Sequence, residues 1–260
     1  MELYRIENLQ KSYIDSEFRN TKTVAIHNLS TIIYQEQITA IVGESGSGKS
    51  TLGMILAGLE KSSAGEVFYK NEKLTKAFCK KEYQLEVQMI FQNPFDAVNP
   101  RWKIEDALIE GIRYHKIIPR KQEKEYISEI VKSCGLDEEL LKKKPHQLSG
   151  GQLQRICIAR ILALKPKVLI ADEIVTALDA GVQAKILDLL MQMQKKYKFS
   201  LIFISHDLAV VRRIAHRIIV MKDGEIIEEG MTEEIFKNPK KEYTKELIAA
   251  IPTFEIGQTL

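Results

Sequence analysis

The chain has 260 residues, with 38 Lys and Arg against 35 Asp and Glu, a formal charge of +3, and a 45% hydrophobic fraction. This composition excludes disorder as the main state, because enough apolar side chains are present to offset ordering entropy. The near balance of charge also argues against a nucleic-acid partner, since such binders cluster Lys and Arg far more heavily. The length suits one large domain over residues 1–260.

In chain order, Leu3, Arg5 and Glu7 alternate, as do Thr23–Ile26 and Leu29–Ile33, with a polar stretch from Asp15 to Lys22. These segments predict an N-terminal antiparallel β region. Ile38–Val42 predicts a buried strand that runs into the glycine-rich Gly43–Gly48, and Leu52, Ile55, Leu56 and Leu59 then recur at helical spacing. Residues 95–165 carry charged helical patterns such as Arg120–Lys132 and few β-branched runs, which predicts an inserted helical subdomain. Strand and helix alternate again after it. Val168–Ala171, Leu201–Ile204 and Arg217–Met221 read as strands, and Val182, Ile186, Leu189, Leu190 and Met193 as one helix face. Lys222–Glu225 is a turn by its Asp-Gly pair, and a short helical tail is expected at about 231–251. The fold class is therefore α/β, a P-loop NTPase core with a mainly parallel sheet.

Cys79, Cys134 and Cys157 are odd in number and far apart. They form no disulfide framework and no Cys-x-x-Cys spacing, so idle thiols in a reducing compartment are expected. Glu2, Arg5, Glu7 and Lys11 interrupt the N-terminus, which lacks the apolar core of a secretory signal. No run of about 18 apolar residues occurs to span a membrane. A cytoplasmic chain, free to dock on a membrane, is the expectation.

Three motifs carry chemistry. Gly43, Glu44, Ser45, Gly46, Ser47, Gly48, Lys49, Ser50 and Thr51 fit G-x-x-x-x-G-K-[ST]. Its glycines let backbone wrap phosphates, and amides at a helix start point at the anion. Lys49 is expected at the β- and γ-phosphates, Ser50 at Mg²⁺ and Thr51 at the α-phosphate. Asp172 and Glu173 end an apolar strand, where Asp172 can hold Mg²⁺ and Glu173 can polarise an attacking water. Ser149, Gly150, Gly151 and Gln152 open a second helix, with Leu153, Cys157, Ile161 and Leu164 at helical spacing. That start exposes amides for a further anion, and one nucleotide does not need two such starts from one chain.

On these motifs the sequence resembles the ATP-binding-cassette family. The resemblance implies that Ser149–Gln152 lie across the γ-phosphate of an ATP held by a partner chain. It further implies that Tyr13 stacks on adenine, that Gln92 senses Mg²⁺ and γ-phosphate and meets the membrane partner, and that Thr176–Asp179 cross the dimer interface. His206 is implied to contact the γ-phosphate, whereas His27, His115, His146 and His216 have no such support. ATP and Mg²⁺ are the implied ligands. Where many members carry Pro after the catalytic Glu this chain has Ile174, a packing position that leaves hydrolysis in place.

Gln92–Arg101 and Tyr243–Pro252 look like importers of oligopeptides, dipeptides and nickel. The chain stops eight residues after Pro252, at Leu260, as the shorter nickel-type ATPases do. Leu153–Arg160 and Asp172–Thr176 resemble the second ATPase subunit of nickel importers. The expectation is thus a subunit energising import of nickel or another transition metal, with a peptide importer as the alternative. Implied partners are a related ATPase in a homo- or heterodimer, two membrane-spanning permease subunits and an extracytoplasmic substrate-binding protein, with the chain peripheral on the cytoplasmic face. No nucleic acid is expected. A soluble cassette ATPase acting on nucleic acid or ribosomes would need a coiled coil or second cassette, and a small-molecule kinase would not need Ser149–Gln152. No histidine pairs at helical spacing, so no cargo-metal site is expected on the chain itself.

Overall fold

The computed structural model describes residues 1–15, 21–77, 80–176 and 178–251. Most of the polar stretch after Asp15, together with Cys79, Ala177 and Pro252, lies outside the described residues. In chain order the first elements are β1 (Glu2–Asp15), β2 (Thr21–Tyr34), β3 (Ile38–Val42), α1 (Lys49–Ala57), β4 (Ala64–Tyr69) and β5 (Glu72–Lys73). There follow α2 (Leu74–Ala77), α3 (Lys81–Glu86), β6 (Val87–Ile90), α4 (Ile104–Tyr114), α5 (Glu123–Ser133) and α6 (Gly150–Leu162). The chain continues with β7 (Val168–Asp172), α7 (Ala180–Tyr197), β8 (Ser200–Ser205), α8 (Leu208–Ile214), β9 (Arg217–Lys222) and β10 (Glu225–Met231). Helices α9 (Thr232–Lys237) and α10 (Glu242–Ala249) close it.

Two sheets result. The first is antiparallel, in the order β2-β1-β4-β5. The two short runs at 23–26 and 29–33 are one strand, β2. Asn28 takes a left-handed backbone there, with the pairing register shifting between Leu9↔Leu29 and Lys11↔Ile26. The bulge lets Ile26 and Leu29, an odd number of residues apart, face the same core.

The second sheet runs β10-β9-β3-β8-β7-β6, parallel except for the β9–β10 hairpin. β3, β7 and β8 are buried at every residue, as strands covered on both faces must be. Alternate side chains sort to the two faces. Ile41, Ile202 and Ile204 join Leu52, Ile55 and Leu56 of α1 and the inner face of the antiparallel sheet. Ala40, Leu201 and Phe203 join the core beneath α4–α8. Helix α1 is thereby held between the sheets, and its N-terminus, where the glycine loop ends, is fixed relative to both.

Between β6 and β7 the described elements are α4, α5 and α6 with short 3₁₀ turns. Leu59 departs from expectation: α1 ends at Gly58, whose left-handed conformation stops the helix, and Leu59 is exposed. Leu164 likewise lies past the end of α6, though it is buried. Cys134 and Cys157 are free and buried, and burial pushes their thiols up to about 11 and about 12. Thiols so far from ionisation at neutral pH are unreactive.

Candidate nucleotide site

The glycine loop follows β3 and opens α1. Gly43 has φ +153°, and a Cβ there would sit 2.0 Å from the carbonyl oxygen of Met221, so no other residue fits. The hairpin of β9 and β10 braces the loop again where the Gly224 N–H donates to the Ser47 carbonyl at 3.2 Å. Lys49 is buried, with its Nζ donating to the Glu44 carbonyl at 2.6 Å and lying 3.4 Å from Ser47 Oγ. Desolvation lowers its pKa, opposed by the nearby carboxylates Glu173, Asp172 and Glu44. Among the described residues its hydrogen-bond partners are neutral oxygens, which leaves the ammonium ready for an anion.

Across the cleft, the Ser50 hydroxyl donates to Asp172 Oδ1 at 3.1 Å. Burial raises the Asp172 pKa; the Ser50 hydrogen bond and Lys49 pull it down, and Glu173 pushes it further up. A desolvated carboxylate beside a hydroxyl offers hard oxygen donors, the set that Mg²⁺ takes.

Glu173 follows in a left-handed conformation, φ 49°, its N–H donating to the Ile204 carbonyl at 3.0 Å. That bond to β8 holds a strained residue in place and turns its carboxylate into the cleft. Gln92 Nε2 donates to Glu173 Oε2 at 3.2 Å, and His206 Nδ1 lies 3.2 Å from Oε1. The carboxylate is clasped from both sides.

Lys49, Ser50, Gln92 and Glu173, with Ser45, Gly46, Gly48 and Thr51, line one cleft of about 350 Å³. Asp172 reaches it through Ser50, and His206 through Glu173. Residues from Thr23 to Ala25 of β2 close another wall, a contribution that β propensity alone does not announce. Tyr13 pairs with Thr23 in the sheet register and is partly exposed, with the Lys11 ammonium 4.7 Å from its ring centre.

Ser149, Gly150, Gly151 and Gln152 do not line this cleft. They form the start of α6, with Ser149 Oγ accepting from the Gln152 N–H at 3.3 Å and Gln152 Oε1 accepting from the Ser149 N–H at 3.0 Å. A Cβ on Gly151 would lie 2.4 Å from Val182 Cγ1, so α6 and α7 meet at a contact only glycine permits. Asp179 caps α7 by accepting from the Val182 N–H at 3.0 Å. The signature and the Asp179 loop are therefore neighbours, apart from the chain's own phosphate loop. Of the unsupported histidines, His216 has a structural partner, its Nδ1 accepting from the Ile38 N–H at 3.0 Å.

Sequence reasoning missed Tyr243 on α10, whose hydroxyl accepts from the Glu44 N–H at 3.2 Å. Thr176, the first residue of the expected interface loop, also has a local contact that the sequence does not announce: its Oγ1 donates to the Glu173 carbonyl at 2.8 Å and tightens the turn after the carboxylate.

The pattern of the ABC transporter family matches residues 26–176, a range that takes in the phosphate loop, the signature and the acidic pair. The chain belongs to the ABC transporter family. The ABC transporter chain is 40% identical over 261 residues to the oligopeptide transport ATP-binding protein OppF of Lactococcus lactis, covering 98% of this chain and 82% of that protein. It is 40% identical over 257 residues to the glutathione import ATP-binding protein GsiA of Escherichia coli, covering 96% of this chain but only 41% of GsiA. Among solved structures, CbiO1 of Clostridium perfringens, part of the ABC transporter complex CbiONQ, superposes with a TM-score of 0.78 at 29% identity, covering 91% of each chain. The ATP-binding cassette MJ0796, solved as a dimer in a post-hydrolysis state with ADP and phosphate, gives 0.77 at 30% identity, covering 88% of this chain and 99% of that one. Among the described residues of this ABC transporter chain no helix is long and apolar enough to cross a membrane.

Proposed function

We propose that the chain is an ATP-hydrolysing subunit that energises import of short peptides or peptide-like solutes. The carrying observation is Glu173, strained, turned into the cleft and clasped by Gln92 and His206 beside Lys49, Ser50 and Asp172. Such a carboxylate is poised to accept a proton from water once its clasp is drawn away. The γ-phosphate supplies that pull, because Gln92 and His206 both gain a stronger acceptor in it. Water then attacks phosphorus, Glu173 takes its proton and ADP departs. Ser50, Asp172 and the Gln92 carbonyl would hold Mg²⁺, which neutralises charge between the phosphates.

In this reading the chain acts as one ATPase unit over residues 1–260, with 95–165 as its helical insert. Tyr13 receives the adenine, Gly43–Thr51 the phosphates, and two chains close face to face. Ser149–Gln152 and Asp179 of one chain then reach the ATP of the other. ATP favours closure because it binds the closed pair better than the open one. A second cleft of about 510 Å³ lies next to Gln92, lined by Phe91, Asp96, Glu110, Tyr114 and Arg160. Its exposed Phe91 and Tyr114 suit a segment of a permease, which would put transport and Gln92 in contact. The chain sits against the membrane through that permease.

Peptides stand ahead of nickel as cargo. The likeness of Leu153–Arg160 and Asp172–Thr176 to nickel-type subunits favours a metal. Against it, the two relatives described above are named for oligopeptides and for glutathione, itself a short peptide. Purification of the tagged chain from gently solubilised membranes tests the assembly. Permease subunits and a peptide-binding protein should accompany it; recovery with ribosomes or nucleic acid would overturn the reading.

A further inference from the structure

The phosphate loop has an attachment to the C-terminal region of the chain. Tyr243 lies on the first turn of α10 and is buried, only 7% exposed. Its hydroxyl oxygen takes the N–H of Glu44, 199 residues away, at 3.2 Å. The Lys222 ammonium, at the end of β9, lies 4.5 Å from the ring centre. The approach to α10 is itself pinned, because Glu228 Oε1 accepts from the Lys240 N–H at 2.9 Å and Oε2 from the Lys241 N–H at 3.1 Å. Lys222 and Glu228 belong to the hairpin whose turn bonds the loop at Ser47. One rigid corner thus grips the loop at Ser47 and at Glu44.

Glu44 has a particular place in that grip. Its amide is spent on Tyr243, so that N–H is not among those facing a phosphate. Its carbonyl holds the Lys49 ammonium at 2.6 Å. The two bonds run through a single residue, from α10 to the charge that meets the nucleotide.

We propose that Tyr243 is a positioning residue for phosphate binding: by accepting the Glu44 amide proton it fixes the first turn of the loop and thereby sets where Lys49 waits. This rests on the reading of the cleft as a nucleotide site and adds that docking of α10 is a condition of tight phosphate binding. A loop already ordered loses less entropy when the phosphates arrive, so affinity is gained by preorganisation.

The test is Tyr243→Phe in the full chain, which removes the hydroxyl and keeps the ring under Lys222. Affinities for ATP, ADP and AMP are measured by competition with a fluorescent nucleotide, alongside the melting temperature. Affinity for ATP and ADP should fall about three- to tenfold, the effect of one hydrogen bond. AMP, which does not reach Lys49, should bind as before, with the melting temperature within about 2–4 °C of wild type. Unchanged ATP and ADP affinity, or an equal loss for AMP, would overturn the proposal. Amide exchange decides the matter if the variant does not fold or the wild type binds no nucleotide, the latter being a failure of the nucleotide reading alone. In the nucleotide-free wild type the Glu44 amide should exchange much more slowly than that of Ser45. Equal rates would mean that Tyr243 does not hold it, and the proposal would fall.

Discussion

Glu173 combines strain and position, and its sequence neighbours reveal only half of that. An acidic pair after an apolar strand marks the place, but the left-handed backbone and the bond to Ile204 come from a strand thirty residues on. Glu173→Gln should bind ATP normally and hydrolyse it about 10²–10⁴-fold more slowly, the usual loss of a general base. Steady-state phosphate release and equilibrium nucleotide binding check both halves; wild-type turnover would move the base elsewhere. Asp172 leads to a different expectation. Burial raises its pKa in the fold, so the ionised form costs stability at neutral pH, and the cost fades as pH falls through the folded value toward the unfolded one. Asp172→Asn keeps an acceptor for Ser50 and removes that cost. Its melting temperature at neutral pH should exceed that of the wild type, by an amount that shrinks in acid, while Mg²⁺-dependent nucleotide binding weakens. A variant less stable than wild type at neutral pH would contradict this. Lys49, Ser50, Asp172 and Glu173 are legible in the sequence because loop and acidic pair are local patterns. Tyr243 is not, because nothing in a lone tyrosine says that a loop amide 199 residues away needs an acceptor.

At the level of elements, β3, β7, β8 and β9 of the second sheet are readable from continuous apolar runs, and α7 from its spacing. β4, β5 and β6 are not, being short and giving little alternation to read; β5 has two residues and β6 four. The unity of β2 is hidden by the bulge at Asn28, which breaks the period-two pattern. The start of α6 is legible as a cap but not as a contact: only the structure puts Gly151 against Val182. Two substitutions separate those roles. Ser149→Arg fills the helix start with a long cation and should abolish hydrolysis at the partner's site, leaving this chain's own nucleotide affinity unchanged. A collapse of that affinity would mean that Ser149 serves its own loop. Gly151→Ala adds a Cβ where Val182 leaves 2.4 Å, and should destabilise the α6–α7 contact by about 1–3 kcal/mol, the ordinary penalty for overpacking. Thermal melts read this directly, and a wild-type melting temperature would refute the close contact.

For the whole molecule, the described residues bring Lys49, Ser50, Gln92 and Glu173 to one cleft, and Ser149–Gln152 do not line it. In the proposed reading such a chain completes its chemistry by pairing, and does its work on a permease segment seated in the cleft beside Gln92. That it drives peptide import is the central claim, and transport into cells lacking the native gene tests it most directly. Uptake of a radiolabelled tripeptide and of radiolabelled nickel is compared for cells carrying the wild-type chain, the Glu173→Gln chain or neither. Peptide uptake should return with the wild type and not with Glu173→Gln, while nickel uptake stays the same in all three. Restoration of nickel uptake without any change in peptide uptake would contradict the account.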